Sequence, residues 1–90
     1  MERKTLDIEL ELFGALRGLE TGDRLVLPVG GGQVADLRAA LQAHAGTHWP
    51  GASAGMLASC AFATSSEILR DQQPLPQDGR MAVLPPVSGG

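Results

Sequence analysis

Leu6, Ile8, Leu10 and Leu12 alternate with Asp7, Glu9 and Glu11. A β-strand is the structure that puts the two sets on opposite faces. One face is apolar and the other acidic, so the strand belongs to a sheet buried on one side only. A second run, residues 24–29, repeats the pattern with Leu25, Leu27 and Val29 on one face. Gly14, Gly18 and Gly22 lie between the runs, and a hairpin is the shortest connection. Ala15-Leu16-Arg17 suits a helical turn within it.

A sheet with one apolar face needs a cover. Gly30-Gly31-Gly32 breaks the strand pattern. Val34, Leu37, Leu41 and Ala45 then recur at helical spacing, flanked by Ala40 and His44. Asp36 sits in the first turn, where negative charge suits the helix dipole. Gln33 is a weak N-cap beside Ser, Thr or Asp, and Gly46 is expected to end the helix. Residues 47–56, with Trp49-Pro50-Gly51, read as loop. Residues 57–64 read as a third strand, and 67–71 as a short fourth element, helical turn or strand. Pro74, Pro76 and Asp78-Gly79 mark turns, and residues 80–84 form the last strand before Pro85-Pro86. A hairpin, one crossing helix and further strands define an α+β fold of the β-grasp type. It has a mixed four- to five-stranded sheet, one main helix packed on one face and an extended C-terminal tail. Two strands flank the helix, so a right-handed crossover predicts a parallel central pair. Residues 1–84 are expected to form this domain, and residues 85–90 a flexible Gly-Gly tail.

Ninety residues make one domain. Phe13, Trp49 and Phe62 are the only aromatics, so Leu, Val, Ile and Ala must build most of the core. The apolar runs fall well short of the ~20 residues of a membrane span. Met1-Glu2-Arg3-Lys4 leads into acid-studded sequence, which points away from a secretory signal. Cys60 has no second cysteine to pair with, as fits a reducing cytoplasm. Seven basic and ten acidic residues give a net charge of −3. Without a basic stripe, nucleic acid is not expected as a partner.

Internal chemistry is hard to place. The glycine triplet lacks the spacing and the lysine of a phosphate loop. His44 and His48 are four apart, but Gly46 and Pro50 are expected to end the helix between them, which removes the meaning of that spacing for a metal. Cys60 lies in an apolar run with no basic neighbour and reads as a buried small residue. Asp7, Glu9 and Glu11 read as a solvated or partner-facing surface, and the serines have no evident histidine base. No bound cofactor, no metal and no catalysis by the chain itself are expected. What remains is Leu84-Pro85-Pro86-Val87-Ser88-Gly89-Gly90. A Pro-Pro pair stiffens and extends the chain away from the last strand. Two residues without side chains then carry a carboxylate able to enter a narrow slot. A carboxylate is a poor electrophile, so such a tail serves when a partner activates it, for instance by adenylylation.

At this point the chain resembles the small, sulfur-carrying subunit of molybdopterin synthase, of the MoaD/ThiS type of ubiquitin-like carriers. The resemblance rests on Leu12-Phe13-Gly14-Ala15-Leu16-Arg17, on the helix from Val34 to Leu41, on Pro74-Leu75-Pro76-Gln77-Asp78-Gly79-Arg80, and above all on Pro85-Pro86-Val87-Ser88-Gly89-Gly90. It implies that Gly90 is adenylylated by an E1-like adenylyltransferase using ATP and converted to a thiocarboxylate. The tail would then enter the large catalytic subunit of the synthase, within a heterotetramer, and give its sulfur to a pterin precursor. Gly89 would keep the tail thin, while Leu84, Pro85, Pro86, Val87 and Ser88 would engage the partner. The alternatives are sulfur delivery for thiazole or tRNA thiolation, and a ubiquitin-like modifier. Lys4, the only lysine, leaves little room for self-conjugated chains. Three positions depart from the family pattern. Gln33 stands where Thr or Ser is frequent, and residues 61–66 replace an Asn-containing hairpin. Leu84 stands where an aromatic often precedes Pro-Pro-Val.

Overall fold

The computed structural model describes residues 5–52 and 54–86. Strands β1 (Leu6–Leu12) and β2 (Arg24–Val29) pair antiparallel, with Ile8 opposite Leu27 and Leu10 opposite Leu25. Two short 3-10 turns, Gly14–Leu16 and Thr21–Asp23, shape the connection between them. Helix α1 (Val34–His48) and a short helix α2 (Ala54–Ser59) follow. Strands β3 (Ala61–Ala63), β4 (Ile68–Leu69) and β5 (Arg80–Leu84) complete a five-stranded sheet of order β2-β1-β5-β3-β4.

β1 and β5 are the parallel central pair, with Leu10 opposite Met81 and Leu12 opposite Val83. The pair is therefore built by the first and last strands rather than by the two that flank α1. β5 also runs antiparallel to β3, and β3 to β4. This is the mixed sheet and single main helix of the β-grasp, ubiquitin-like fold. Ile8, Leu10, Leu12, Val29, Phe62 and Val83 from the sheet meet Val34, Leu37 and Leu41 of α1, all fully buried. The predicted helical stripe and the period-two faces of β1, β2 and β5 are the surfaces that meet.

The start of α1 is fixed from a distance. The N–H groups of Val34 and Ala35 donate to the carbonyls of Gln73 and Asp71 (3.0 and 2.9 Å), and Leu75 N–H to Gly32 (2.9 Å). These loop carbonyls satisfy helix-start donors that a side-chain cap would otherwise serve. Locally, the Asp36 carboxylate accepts the Gln33 N–H at 3.0 Å. A Cβ on Gly31 would collide with that carboxylate. Gly31 is thus the tight point of the entry to the helix, while Gly30 and Gly32 have open space around them.

Three boundaries differ from the sequence expectation. α1 continues through Gly46 to His48, and Trp49 closes it by donating its N–H to Ala45 at 2.8 Å. A helical glycine costs about 1 kcal/mol relative to alanine, whereas Trp49 is 2% exposed. Burying a side chain of that size is worth more, about 1.5–3 kcal/mol. Pro50 then stops the helix. Second, residues 57–64 are not one strand, because 54–59 coil into α2 and only 61–63 are extended. A short apolar run of this kind has no period that separates helix from strand. Third, the loop expected over 47–56 shrinks accordingly. The fourth element is a two-residue strand.

Candidate functional site

The tail leaves the body at the end of a central strand. Leu84 closes β5 opposite Ala61 and is half-buried. Pro85 is half-buried against Gly14, and Pro86 is exposed. Gly14 has φ +58°, and a Cβ there would lie 3.0 Å from Pro85 Cγ. Only glycine combines that backbone with that approach, so the turn after β1 seats the first tail proline. Sequence reasoning quoted Gly14 in a motif without giving it this task, because the contact joins residues far apart in the chain. Val87, Ser88, Gly89 and Gly90 lie outside the described residues.

The open face of the sheet adjoins this root. Glu9, Glu11, Arg24, Arg80 and Ala82 stand on it by strand alternation, together with Ala63 and exposed Ile68. A trough of about 500 Å³ lies there, with Phe13 at the tail end and Ala63 and Ala82 among its lining. Arg24 Nη1 reaches Glu9 Oε2 at 3.5 Å, an exposed pair that contributes little to stability. The acidic row read from the sequence is therefore one wall of a mixed-charge surface. The turn beyond it is tied by Thr64, whose Oγ1 accepts the N–H groups of Ser66 and Glu67 at 3.3 and 3.2 Å.

Away from the tail, Glu20 Oε2 lies 2.8 Å from His44 Nε2 and accepts the Trp49 indole N–H at 2.8 Å. His48 stacks on His44 with ring centres 4.4 Å apart. The longer helix thus does bring the two histidines onto one side, contrary to the expectation that the helix ends between them. Among the described residues, however, no group of three or more His, Cys, Asp or Glu is placed to hold a metal ion. The hydrogen bond with His44, and then that from Trp49, hold the Glu20 carboxyl below its ordinary value of 4.5. A depressed carboxyl stabilises the fold above its unfolded value, and that contribution fades as pH falls through the lowered one. Glu20→Gln is therefore expected to melt at lower temperature than the parent at neutral pH. The gap should narrow steadily below pH 4.5 in circular-dichroism melts; a constant gap would assign the network no charge.

Cys60 is buried, its thiol donates to the Met56 carbonyl at 3.2 Å, and burial pushes its pKa up. Such a thiol is a packing group, as the sequence suggested. Among the described residues no helix is long and apolar enough to cross a membrane.

A ubiquitin-like body with a proline-led segment leaving its central strand is the architecture of small carrier proteins that work through their tails. The ThiS family model matches residues 10–90, and the chain belongs to that family of ubiquitin-like sulfur carriers. Among solved structures, that of SAMP1 from Haloferax volcanii superimposes with a TM-score of 0.60 and 22% identity, covering 93% of this chain and 99% of that one. At that identity the likeness speaks for the fold. No curated protein matches the sequence.

Proposed function

We propose that the chain is the sulfur-carrying small subunit of a molybdopterin synthase and that Gly90 bears the reacting carboxylate. The observation that carries this reading is the family match running through Pro85-Pro86-Val87-Ser88-Gly89-Gly90, on a segment that leaves the central strand of a β-grasp body. The Gly90 carboxylate attacks the α-phosphate of ATP in an E1-like adenylyltransferase, releasing pyrophosphate. A sulfur nucleophile then displaces AMP from the acyl adenylate and leaves a thiocarboxylate. The loaded tail enters the large synthase subunit, where its sulfur passes to a pterin precursor and the carboxylate is regenerated by water. The chain binds no cofactor of its own in this scheme. It supplies a thin, extended acyl group, while partners supply the catalysis.

Intact-mass measurement of protein purified from its native host tests this directly. The expected result is a fraction in which one oxygen of the Gly90 carboxylate is replaced by sulfur. That thiocarboxylate should support pterin dithiolene formation when mixed with a synthase large subunit. A lysine-linked adduct in place of the thiocarboxylate would make the chain a modifier instead.

A further inference from the structure

We propose that Gly14 is a positioning residue for the reaction at the tail. Its bare backbone receives the Pro85 ring and thereby sets the direction in which the tail leaves the body. This inference rests on the reading that Gly90 carries the reacting carboxylate. Leu12, which ends β1, lies opposite Val83 of β5, so the two chains leave the sheet side by side. The first turns aside at Phe13 and Gly14, whereas the second runs on into Pro85. Where they part, a Cβ on Gly14 would stand 3.0 Å from Pro85 Cγ and 3.5 Å from Cδ. That is the point at which the tail is aimed.

The turn that carries Gly14 is held firmly enough to aim anything. Leu16 is fully buried and donates its N–H to the Phe13 carbonyl at 3.1 Å, and Arg17 donates its own to Gly14 at 3.1 Å. The Asp23 carboxylate accepts the Gly18 N–H at 2.7 Å and lies 3.5 Å from Arg17 Nε. Further along the same connection, Glu20 Oε2 is 2.8 Å from both His44 Nε2 and the Trp49 indole nitrogen at the end of α1. Leu84, on the other side of the contact, is fixed by its pairing with Ala61. Pro85 therefore meets a braced surface, and a push at the seat moves the tail rather than the turn. Proline fixes its own φ, and a Pro-Pro pair favours the extended polyproline form. At about 3.1 Å per residue, an extended chain from Pro85 to Gly90 is a lever of about 15 Å. A tilt of about 10° at its root carries the far end about 2–3 Å aside. Misplacing a reacting atom by about 1 Å already costs on the order of a hundredfold in rate.

The test compares four chains: the parent, Gly14→Asn, Pro85→Ala and the two substitutions together. Asparagine tolerates a positive φ better than most side chains, so Gly14→Asn adds a Cβ at the seat with little backbone strain. Pyrophosphate release by the adenylylating enzyme is followed against carrier concentration, with a thermal melt of each chain. Gly14→Asn is expected to lower kcat about tenfold or more with KM within about twofold, the pattern of lost positioning. In the Pro85→Ala background the ring is gone, and the same substitution should change kcat by less than about twofold. A merely structural role for Gly14 gives the same loss in both backgrounds, and that result overturns the proposal. So does a Gly14→Asn chain with parent kinetics. A raised KM at unchanged kcat would make Gly14 a contact of the enzyme, and it also overturns the proposal. Should Gly14→Asn fail to fold, Pro85→Ala carries the test alone. It frees the tail from its seat, so kcat is expected to fall several-fold, and a parent-like kcat overturns the proposal. If the parent itself is not adenylylated, the functional reading falls first.

Discussion

Arg38→Ala is expected to remove about 2–4 kcal/mol of stability, the range for losing charge-assisted bonds and stranding buried acceptors. Arg38 leaves α1 one turn past its start and is only 17% exposed. Its Nη2 and Nε meet the Asp71 carboxylate at 2.8 and 3.2 Å in a forked pair. Its Nη1 donates to the carbonyls of Leu57, Ala58 and Cys60 at 3.1, 3.1 and 2.7 Å. Leu57 and Ala58 lie in the last turn of α2 and Cys60 just beyond it, where carbonyls lack intrahelical donors; only that of Leu57 also takes a backbone N–H there, from Cys60 at 3.4 Å. The guanidinium carbon also sits 4.9 Å from the centre of the Phe62 ring, a cation–π distance. One side chain therefore holds the end of α2, the loop that starts α1, and the face of a core aromatic. The same pairing holds Asp71 below the usual carboxylate range. For a domain of this size the loss corresponds to a fall in Tm on the order of 10–20 °C. Lysine keeps the charge but has no fork, so Arg38→Lys should recover less than half of it. Thermal melts of the two variants read the effect, and an Arg38→Ala protein melting within a few degrees of the parent would show that water replaces the guanidinium.

The same residue shows what the sequence could not convey. Arg38 sits on the polar side of a helical pattern, and nothing in its neighbours says that it caps a helix about twenty residues later. Long-range partners also set the two ends of α1. Its N-terminus is completed by carbonyls of Asp71 and Gln73, and its C-terminus by Trp49 buried against Glu20 and His44. Local rules read Gln33 as a weak start and Gly46 as a stop because they see only adjacent residues. Where the pattern is periodic and self-contained the reading holds. β2 spans residues 24–29 as expected, and the alternation in β1 places Ile8, Leu10 and Leu12 on the buried face, with Leu6 at the strand's start left exposed. α2 escaped notice because six residues carry too little pattern to separate it from a strand. At the site, the tail motif was legible as sequence. Its seat on Gly14 and the alanine-floored trough were not, since both arise from strands brought together by the parallel β1–β5 pairing.

Deleting Gly90 is expected to abolish sulfur loading while leaving the melting temperature within about 2 °C of the parent. A shift that small is less than half of what 1 kcal/mol produces in a domain of this size. The body does not depend on the residue. Among the described residues Val83 is the last fully buried side chain, Leu84 and Pro85 are half-buried, and Pro86 is already exposed. The chemistry does depend on it, on the reading that Gly90 carries the carboxylate. Removing one residue withdraws the carboxyl carbon by about 3.3–3.6 Å along an extended chain. Misplacement of a reacting atom by about 1 Å already costs on the order of a hundredfold in rate. The new terminal carboxylate belongs to Gly89, so the charge and the thinness both remain. The loss would thus be one of position alone. A chain lengthened by one glycine beyond Gly90 overshoots by the same distance and should fail in the same way, provided that the activating site is closed at its end. Gly89→Val tests thinness separately. It keeps the length but adds a branched side chain beside the reacting group, and it should reduce adenylylation while leaving the Tm unchanged. Pyrophosphate release and intact mass measured on the same samples distinguish these cases. A truncated chain that still acquires sulfur at the parent rate would move the chemistry away from the C-terminus and end the carrier reading.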